Sequence, residues 1–330
     1  MATFNPEQTI PEQTNPEKTN PEQTNPTPLK NLKNLKNLVL SGGGLLGISY
    51  IGLLKYLEEC NIISQIKTIT GSSAGAIFGT FFAIGYKSKE LEKQVKTIVF
   101  KDYMKINAES LLNFPRNKGF ESGRLLMEYI KDRIRDKTNN PDITFSQLYE
   151  QFQITLQIGS TNLTQYKFEI FNHINTPNIP VYLAIRASIA IPFVFEPIII
   201  NGNLYCDGGL IENLPIEYIE NLSTNELNLD NKSPLETLGV CLINNIIELN
   251  SENIKNATLS HYFSVIMKTL SMTYYHKKCD IDNTGRNKIL LFEIPCDLMT
   301  FIKINATHED IDNIIEIAYN ICKKELPLNK

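Results

Sequence analysis

Lys67–Tyr86 reads KTITGSSAGAIFGTFFAIGY and holds two adjacent serines between two glycines. In the spacing Gly-x-Ser-x-Gly, Gly71 and Gly75 bracket Ser73, and Ser72 is a bystander. A serine set between glycines at a strand-to-helix turn is held in a strained backbone conformation, with its hydroxyl projecting past the C-terminal edge of the sheet. The helix dipole and the free N–H groups there favour developing negative charge. Such a serine is suited to nucleophilic attack on an acyl carbon. The same five letters also fit a Ser/Gly loop joining two buried elements, and it is the strand-turn-helix context that favours the nucleophile.

Ser41–Gly47, SGGGLLG, is the second candidate. Gly42, Gly44 and Gly47 match a dinucleotide-binding Gly-x-Gly-x-x-Gly, which expects a ribose-binding acid about 20 residues on. Glu58 and Glu59 lie nearer, inside the helix that follows. No Gly-Lys-Ser/Thr closes the loop, which excludes a Walker loop. A third reading is an oxyanion hole, in which consecutive glycines offer backbone N–H groups to a tetrahedral intermediate. A glycine loop after the first strand, paired with a serine elbow after the second, fits the third reading best.

The third candidate is Tyr205–Gly209, YCDGG. A serine nucleophile needs a base. The four histidines, His173, His261, His276 and His308, stand in no glycine-flanked setting. Asp207 precedes Gly208 and Gly209, where a carboxylate can approach another backbone closely, although Asp-Gly is also an ordinary turn.

The elements that must carry these residues follow from pattern. From Asn37 the order is strand, glycine loop, amphipathic helix, then strand, GSSAG and apolar helix. Ser88 is expected to cap the helix KELEKQVKTIVF. Thr144 with Gln147 forms a capping box for FSQLYEQF, and Thr307 with Asp310 caps the last helix. ITLQIGSTN and QYKFEIFNH read as two strands joined by a turn, and LETLGVCLIN and KILLFEIP as later strands. Strands alternating with helices predict an α/β fold with a largely parallel central sheet.

A GGGxxG loop, a GxSxG elbow and a DGG turn, in that order, resemble the patatin-like phospholipase family. ASIAIPFVFEPI resembles the family's segment before the aspartate strand, and DGGLIENLP its Asp-Gly-Gly-x-x-x-Asn-x-Pro continuation. The resemblance implies a three-layer fold, a mostly parallel sheet flanked by helices. It also implies an acyl hydrolase with a Ser-Asp pair in place of a triad. Carried over, Ser73 is the nucleophile, Asp207 its base, and Gly42, Gly43 and Gly44 the oxyanion donors, supported by Gly47, Gly71, Gly75, Gly208 and Gly209. No cofactor or metal is implied. The family's glycine loop commonly carries Arg or Lys before its last glycine, where this chain has Leu46. That departure puts the lipid class in doubt, or alters loop packing, and leaves neutral lipid esters open. An acyltransferase using the same serine, and a non-catalytic lipid- or nucleotide-binding protein, are the rival readings.

Composition bounds the rest. The chain has 330 residues, 42% hydrophobic and 21% charged, with a formal net charge of −4. That suffices for a large buried core, and no basic block marks a nucleic-acid partner. The six cysteines show no CxxC spacing, the start lacks a signal-peptide pattern, and no apolar run reaches the roughly 18–20 residues of a span. An intracellular protein touching its lipid substrate peripherally, at a membrane or micelle surface, is expected. Residues 5–28 repeat a proline-bearing pentapeptide, so residues 1–28 are expected to be disordered. Residues 29–37, within LKNLKNLKNL, read as a linker, with membrane contact through Lys30, Lys33 and Lys36 as the alternative. Residues 38–326 form the catalytic domain, with its motifs in 38–215 and its later strands and helices in 235–326.

Overall fold

The structure is a computed structural model that describes residues 32–98, 103, 108–219, 236–244, 250, 254–256, 262, 265, 266, 269, 287–294 and 306–327. The pentapeptide repeat, Lys30, the Asn-rich stretch 223–233, His261 and His276 lie outside these residues.

Strand β1 (Asn37–Leu40) leads through a 3-10 turn (Gly44–Ser49) into helix α1 (Tyr50–Glu59). Strand β2 (Thr68–Ser72) leads into α2 (Ala74–Ala83), and α3 (Ser88–Val95) follows. Next come α4 (Ala108–Asn117), β3 (Gly119–Glu121), α5 (Arg124–Thr138) and α6 (Phe145–Phe152). Strands β4 (Thr155–Asn162) and β5 (Lys167–Phe171) precede α7 (Val181–Ser188). Then β6 (Phe193–Phe195), β7 (Ile198–Ile200) and β8 (Asn203–Asp207) lead to the later strands β9 (Thr237–Asn244) and β10 (Asn287–Ile294), and α8 (His308–Glu325).

The main sheet has the order β10-β9-β1-β2-β4-β8-β7, with β5 also on β4. Strands β10, β9, β1, β2 and β4 are parallel neighbours, and β5 and β8 run antiparallel to β4. Alternate side chains point to opposite faces of a strand, and β1, β9 and β10 are apolar on both. Leu38, Leu40, Leu238, Val240 and Phe292 join the large core built with α1, α2 and α8. Val39, Cys241 and Ile243 join a second cluster with Leu214, Ile216 and Ile219. Burial on both faces is the usual state of parallel strands covered by helices.

Two expectations are corrected. Ser88 does not cap its own helix: its hydroxyl donates to Glu58 Oε2 at 2.5 Å, its N–H also points to that carboxylate, and the helix ends at Val95. The leucines of LKNLKNLKNL do not lie on a bare linker. Residues Leu32–Asn34 form a short 3-10 turn and β1 starts at Asn37, and Leu32, Leu35 and Leu38 are all buried in the large core. Lys36 pairs with Glu236 at 3.2 Å. The apolar side of this segment is therefore occupied by the protein's own core. The two capping boxes form as expected, Thr144 accepting from the Gln147 N–H and Thr307 from the Asp310 N–H.

Candidate active site

The site is made where two strands meet end to end on one edge of β4. Ile158 and Gly159 pair with β5 on one side and with Gly71 and Ser72 of β2 on the other. Ser160 pairs with Glu169 of β5 and with Asp207 of β8. A strand has two edges, so β2 and β8 share the edge opposite β5. Strand β2 is parallel to β4 and β8 antiparallel, so they run toward each other. Their C-terminal residues, Ser72 and Asp207, face the consecutive residues Gly159 and Ser160. This junction brings together two motifs that lie far apart in the sequence.

Ser73 is the first residue past β2, with φ 51° and ψ −120°. A positive φ is costly for a residue with a Cβ and persists where its surroundings over-determine it. Here the neighbours are visible. A Cβ on Gly71 would collide with the Gly75 carbonyl, and one on Gly75 with the Leu40 carbonyl, so both flanking glycines are needed for close chain approach. The Ser73 N–H donates to Ser188 Oγ at 2.8 Å, and Ser188 Oγ donates to the Gly159 carbonyl at 2.6 Å. Ser188, at the C-terminal end of α7, thus ties the elbow to the strand junction. The Ser73 carbonyl accepts from Ala76 N–H in the first turn of α2. The neighbouring Ser72 hydroxyl is buried, has no hydrogen-bond partner, and packs where a Gly208 Cβ would otherwise stand.

Asp207 is buried, and burial pushes its carboxyl up from 3.8 to about 6. The Ser73 side chain and the Gly209 N–H both act in the opposite sense, favouring the carboxylate. Oδ1 accepts from Gly209 N–H at 2.8 Å. Oδ2 is buried without a hydrogen-bond partner. Catalytic hydrogen bonds are often long before substrate binds. The Asp207 N–H donates to the Ala190 carbonyl at 2.9 Å.

The glycine loop arrives from β1, the neighbour of β2. A Cβ on Gly42 would sit 2.9 Å from Ser73 Cβ, so the loop passes directly over the elbow. Its three glycines are not equivalent. The Gly42 N–H is already used: it donates to Asn213 Oδ1 at 3.0 Å, while Asn213 Nδ2 points back to the Gly42 carbonyl at 3.4 Å. Gly43 and Gly44 have no hydrogen-bond partner for their N–H groups among the described residues. Gly44 is exposed, with φ +56°. Gly47 packs on Ala74 and Phe78 of α2. Leu46, the departure from the family loop, is buried in the large core. Its side chain packs inside the protein.

Of the described histidines, His173 stacks on Tyr149 at 3.9 Å and His308 Nε2 contacts the Lys96 carbonyl. Neither hydrogen-bonds to Ser73 or Asp207. The motifs of Ser73 and Asp207 are visible in the sequence, whereas the roles of Gly159, Ser160, Ser188 and Asn213 are not. Ser188 and Asn213 stand in quoted motif segments, but their partners lie 115 and 171 residues away.

The family profile described as patatin-like phospholipase matches residues 38–219, and the chain belongs to this family. An uncharacterized protein of Acanthamoeba polyphaga mimivirus is 37% identical over 58% of this chain and 63% of its own length. A probable lipid hydrolase of Invertebrate iridescent virus 6 is 32% identical over 56% of this chain and 63% of its own. The lysophospholipase NTE1 of Kluyveromyces lactis is 31% identical over 54% of this chain, which is 11% of its own length. The chain thus matches less than two thirds of each of these relatives. No helix among the described residues is long and apolar enough to cross a membrane.

Proposed function

We propose that the chain is a lipid acyl hydrolase that cleaves fatty-acyl esters through Ser73 and Asp207. The observation that carries this is the meeting of β2 and β8, which sets a serine at φ 51° beside a buried carboxylate raised to about 6. Such a carboxylate is largely ionised near neutrality yet basic enough to accept a proton. Membership of the patatin-like phospholipase family supports the reading, as do relatives named a lipid hydrolase and a lysophospholipase.

In this mechanism Ser73 Oγ attacks the ester carbonyl carbon while its proton passes to Asp207. The oxyanion is met by the N–H groups of Gly43 and Gly44, and Gly42 holds the loop through Asn213. Of the three glycines that the resemblance implies as donors, Gly43 and Gly44 keep that role, because the Gly42 N–H is already engaged. The intermediate collapses, and the alcohol leaves with the proton from Asp207. Water, deprotonated by Asp207, then attacks the acyl carbon, and Asp207 returns that proton to Ser73 Oγ as the fatty acid leaves. Hydrolysis of a panel of phospholipid and neutral-lipid esters by wild type and Ser73→Ala tests this. Released fatty acid from wild type alone is expected. Equal release by both proteins would refute it, and transfer of the acyl group to an added lysolipid in place of water would favour the acyltransferase.

A further inference from the structure

Helix α4 is amphipathic, yet none of its residues is buried. Leu112 is 82% exposed and Leu111 56%. Two residues on, Phe114 stacks on Phe120 at 4.4 Å and leans on Phe193 at 6.3 Å. Phe193 is itself 61% exposed and has φ +69°. That conformation is uncommon for a bulky side chain and is held where the surroundings impose it. Two features hold it: β3 pairs with β6 with Gly119 opposite Phe193, and Asn117 Nδ2 donates to Glu196 Oε1 at 2.7 Å. These ties hold the end of α4, through Phe114 and Asn117, against the segment of Phe193, so that helix and strand carry exposed apolar side chains on a joined surface.

The segment that carries Phe193 starts at the site. The Asp207 N–H donates to the Ala190 carbonyl, and Phe193 stands three residues further along the chain. The exposed edge of this surface is basic: Arg116 near the end of α4 and Lys118 just past it are exposed, while Glu109 stands at the far end of the helix and Glu121 and Glu196 are half-buried at the ends of the strands. This local positive edge sits on a chain of net charge −4. Exposed apolar residues with a basic rim match a bilayer surface, where apolar side chains enter the acyl boundary and cations meet anionic headgroups.

We propose that Leu111, Leu112 and Phe193, with Arg116 and Lys118 at the rim, form the surface by which the protein docks on anionic phospholipid membranes beside its active site. The choice of lipid as occupant rests on the acyl-hydrolase reading. The test is co-sedimentation with vesicles of phosphatidylcholine, with and without phosphatidylserine, beside hydrolysis of a soluble short-chain ester. Leu111→Gln with Leu112→Gln keeps good helix formers at exposed positions. It is expected to weaken vesicle binding about tenfold or more and to leave soluble-ester hydrolysis unchanged. Phe193→Asn, which suits a positive φ, is expected to weaken binding in the same direction. Arg116→Gln with Lys118→Gln is expected to weaken binding only to phosphatidylserine vesicles, and less so in high salt. Unchanged vesicle binding by the leucine variant overturns the proposal. So does a wild-type dimer that this variant dissociates while vesicle binding persists, because the occupant is then a second copy. If wild type hydrolyses no ester yet binds vesicles through the leucines, the hydrolase reading falls and the docking surface stands.

Discussion

Asp207 and Ser72 face consecutive residues, Ser160 and Gly159, on the same edge of β4, although they lie on strands running in opposite directions. The sheet thereby sets the distance between the elbow and the carboxylate, and neither loop has to find the other. The carboxylate so placed is buried and raised to about 6. Its unfolded value is near 3.8, so between these values the native state binds more protons than the unfolded state. Stability therefore falls as pH rises through this window, and the full cost is present above about 6.

Asp207→Asn should therefore be more stable than wild type at about pH 8, by up to roughly 3 kcal/mol, with the difference vanishing near pH 4. The same variant should lose turnover by a factor of at least about a hundred. Wild-type turnover should fall about tenfold per pH unit below about 6, as the base becomes protonated. Thermal melts and pH-rate profiles of both proteins check this. A variant that is destabilised at every pH would show that the carboxylate is held there for stability.

Ser188→Ala removes the acceptor for the Ser73 N–H and leaves the Gly159 carbonyl short of a donor. The expected cost is about 1–3 kcal/mol, the usual penalty for stranding buried polar groups. Turnover should fall with little change in KM, because the elbow's orientation is lost and the surface that meets substrate is untouched. Denaturant titration and steady-state kinetics on a soluble ester separate the two effects.

Gly43→Ala would bring a Cβ within 2.7 Å of Leu242 Cδ1 and shift the loop. An oxyanion exists only along the reaction path, so displaced donors should lower kcat and spare KM. A raised KM with unchanged kcat would place the loop's role in substrate binding.

Leu35→Ala should destabilise the protein by about 2–5 kcal/mol, since Leu35 is fully buried. If residues 29–37 were a bare linker, the change would be close to zero. Chemical denaturation of wild type and variant decides it.

Local chemistry was legible where neighbours in sequence decide the structure. The GxSxG turn follows from glycines that must let Gly75 and Leu40 carbonyls approach, and the capping boxes close within three residues. The parallel majority of the sheet followed from the alternation of strands and helices, while the strand order did not. What depends on distant partners was not legible. Ser88 looked like a cap because nothing in its own segment reveals Glu58. The three loop glycines looked alike because nothing near them reveals Asn213. Leucines at a spacing of three look aimless on an α-helix, and nothing near them reveals that Leu32, Leu35 and Leu38 enter the core from a short turn and the first strand. Helices α4, α5 and α7 received no assignment from periodicity. Asp207 stood out through its family resemblance, since Asp-Gly by itself is an ordinary turn.

The central claim is that Ser73 is the residue that forms the acyl-enzyme bond. A fluorophosphonate probe followed by peptide mapping tests it directly, in wild type and in the two single serine variants. An adduct is expected on Ser73 in wild type and in Ser72→Ala, and none in folded Ser73→Ala. Ser72→Ala should also keep its ester hydrolysis, because it removes only a buried hydroxyl without a partner. An adduct on Ser72, or labelling that survives in Ser73→Ala, would contradict it.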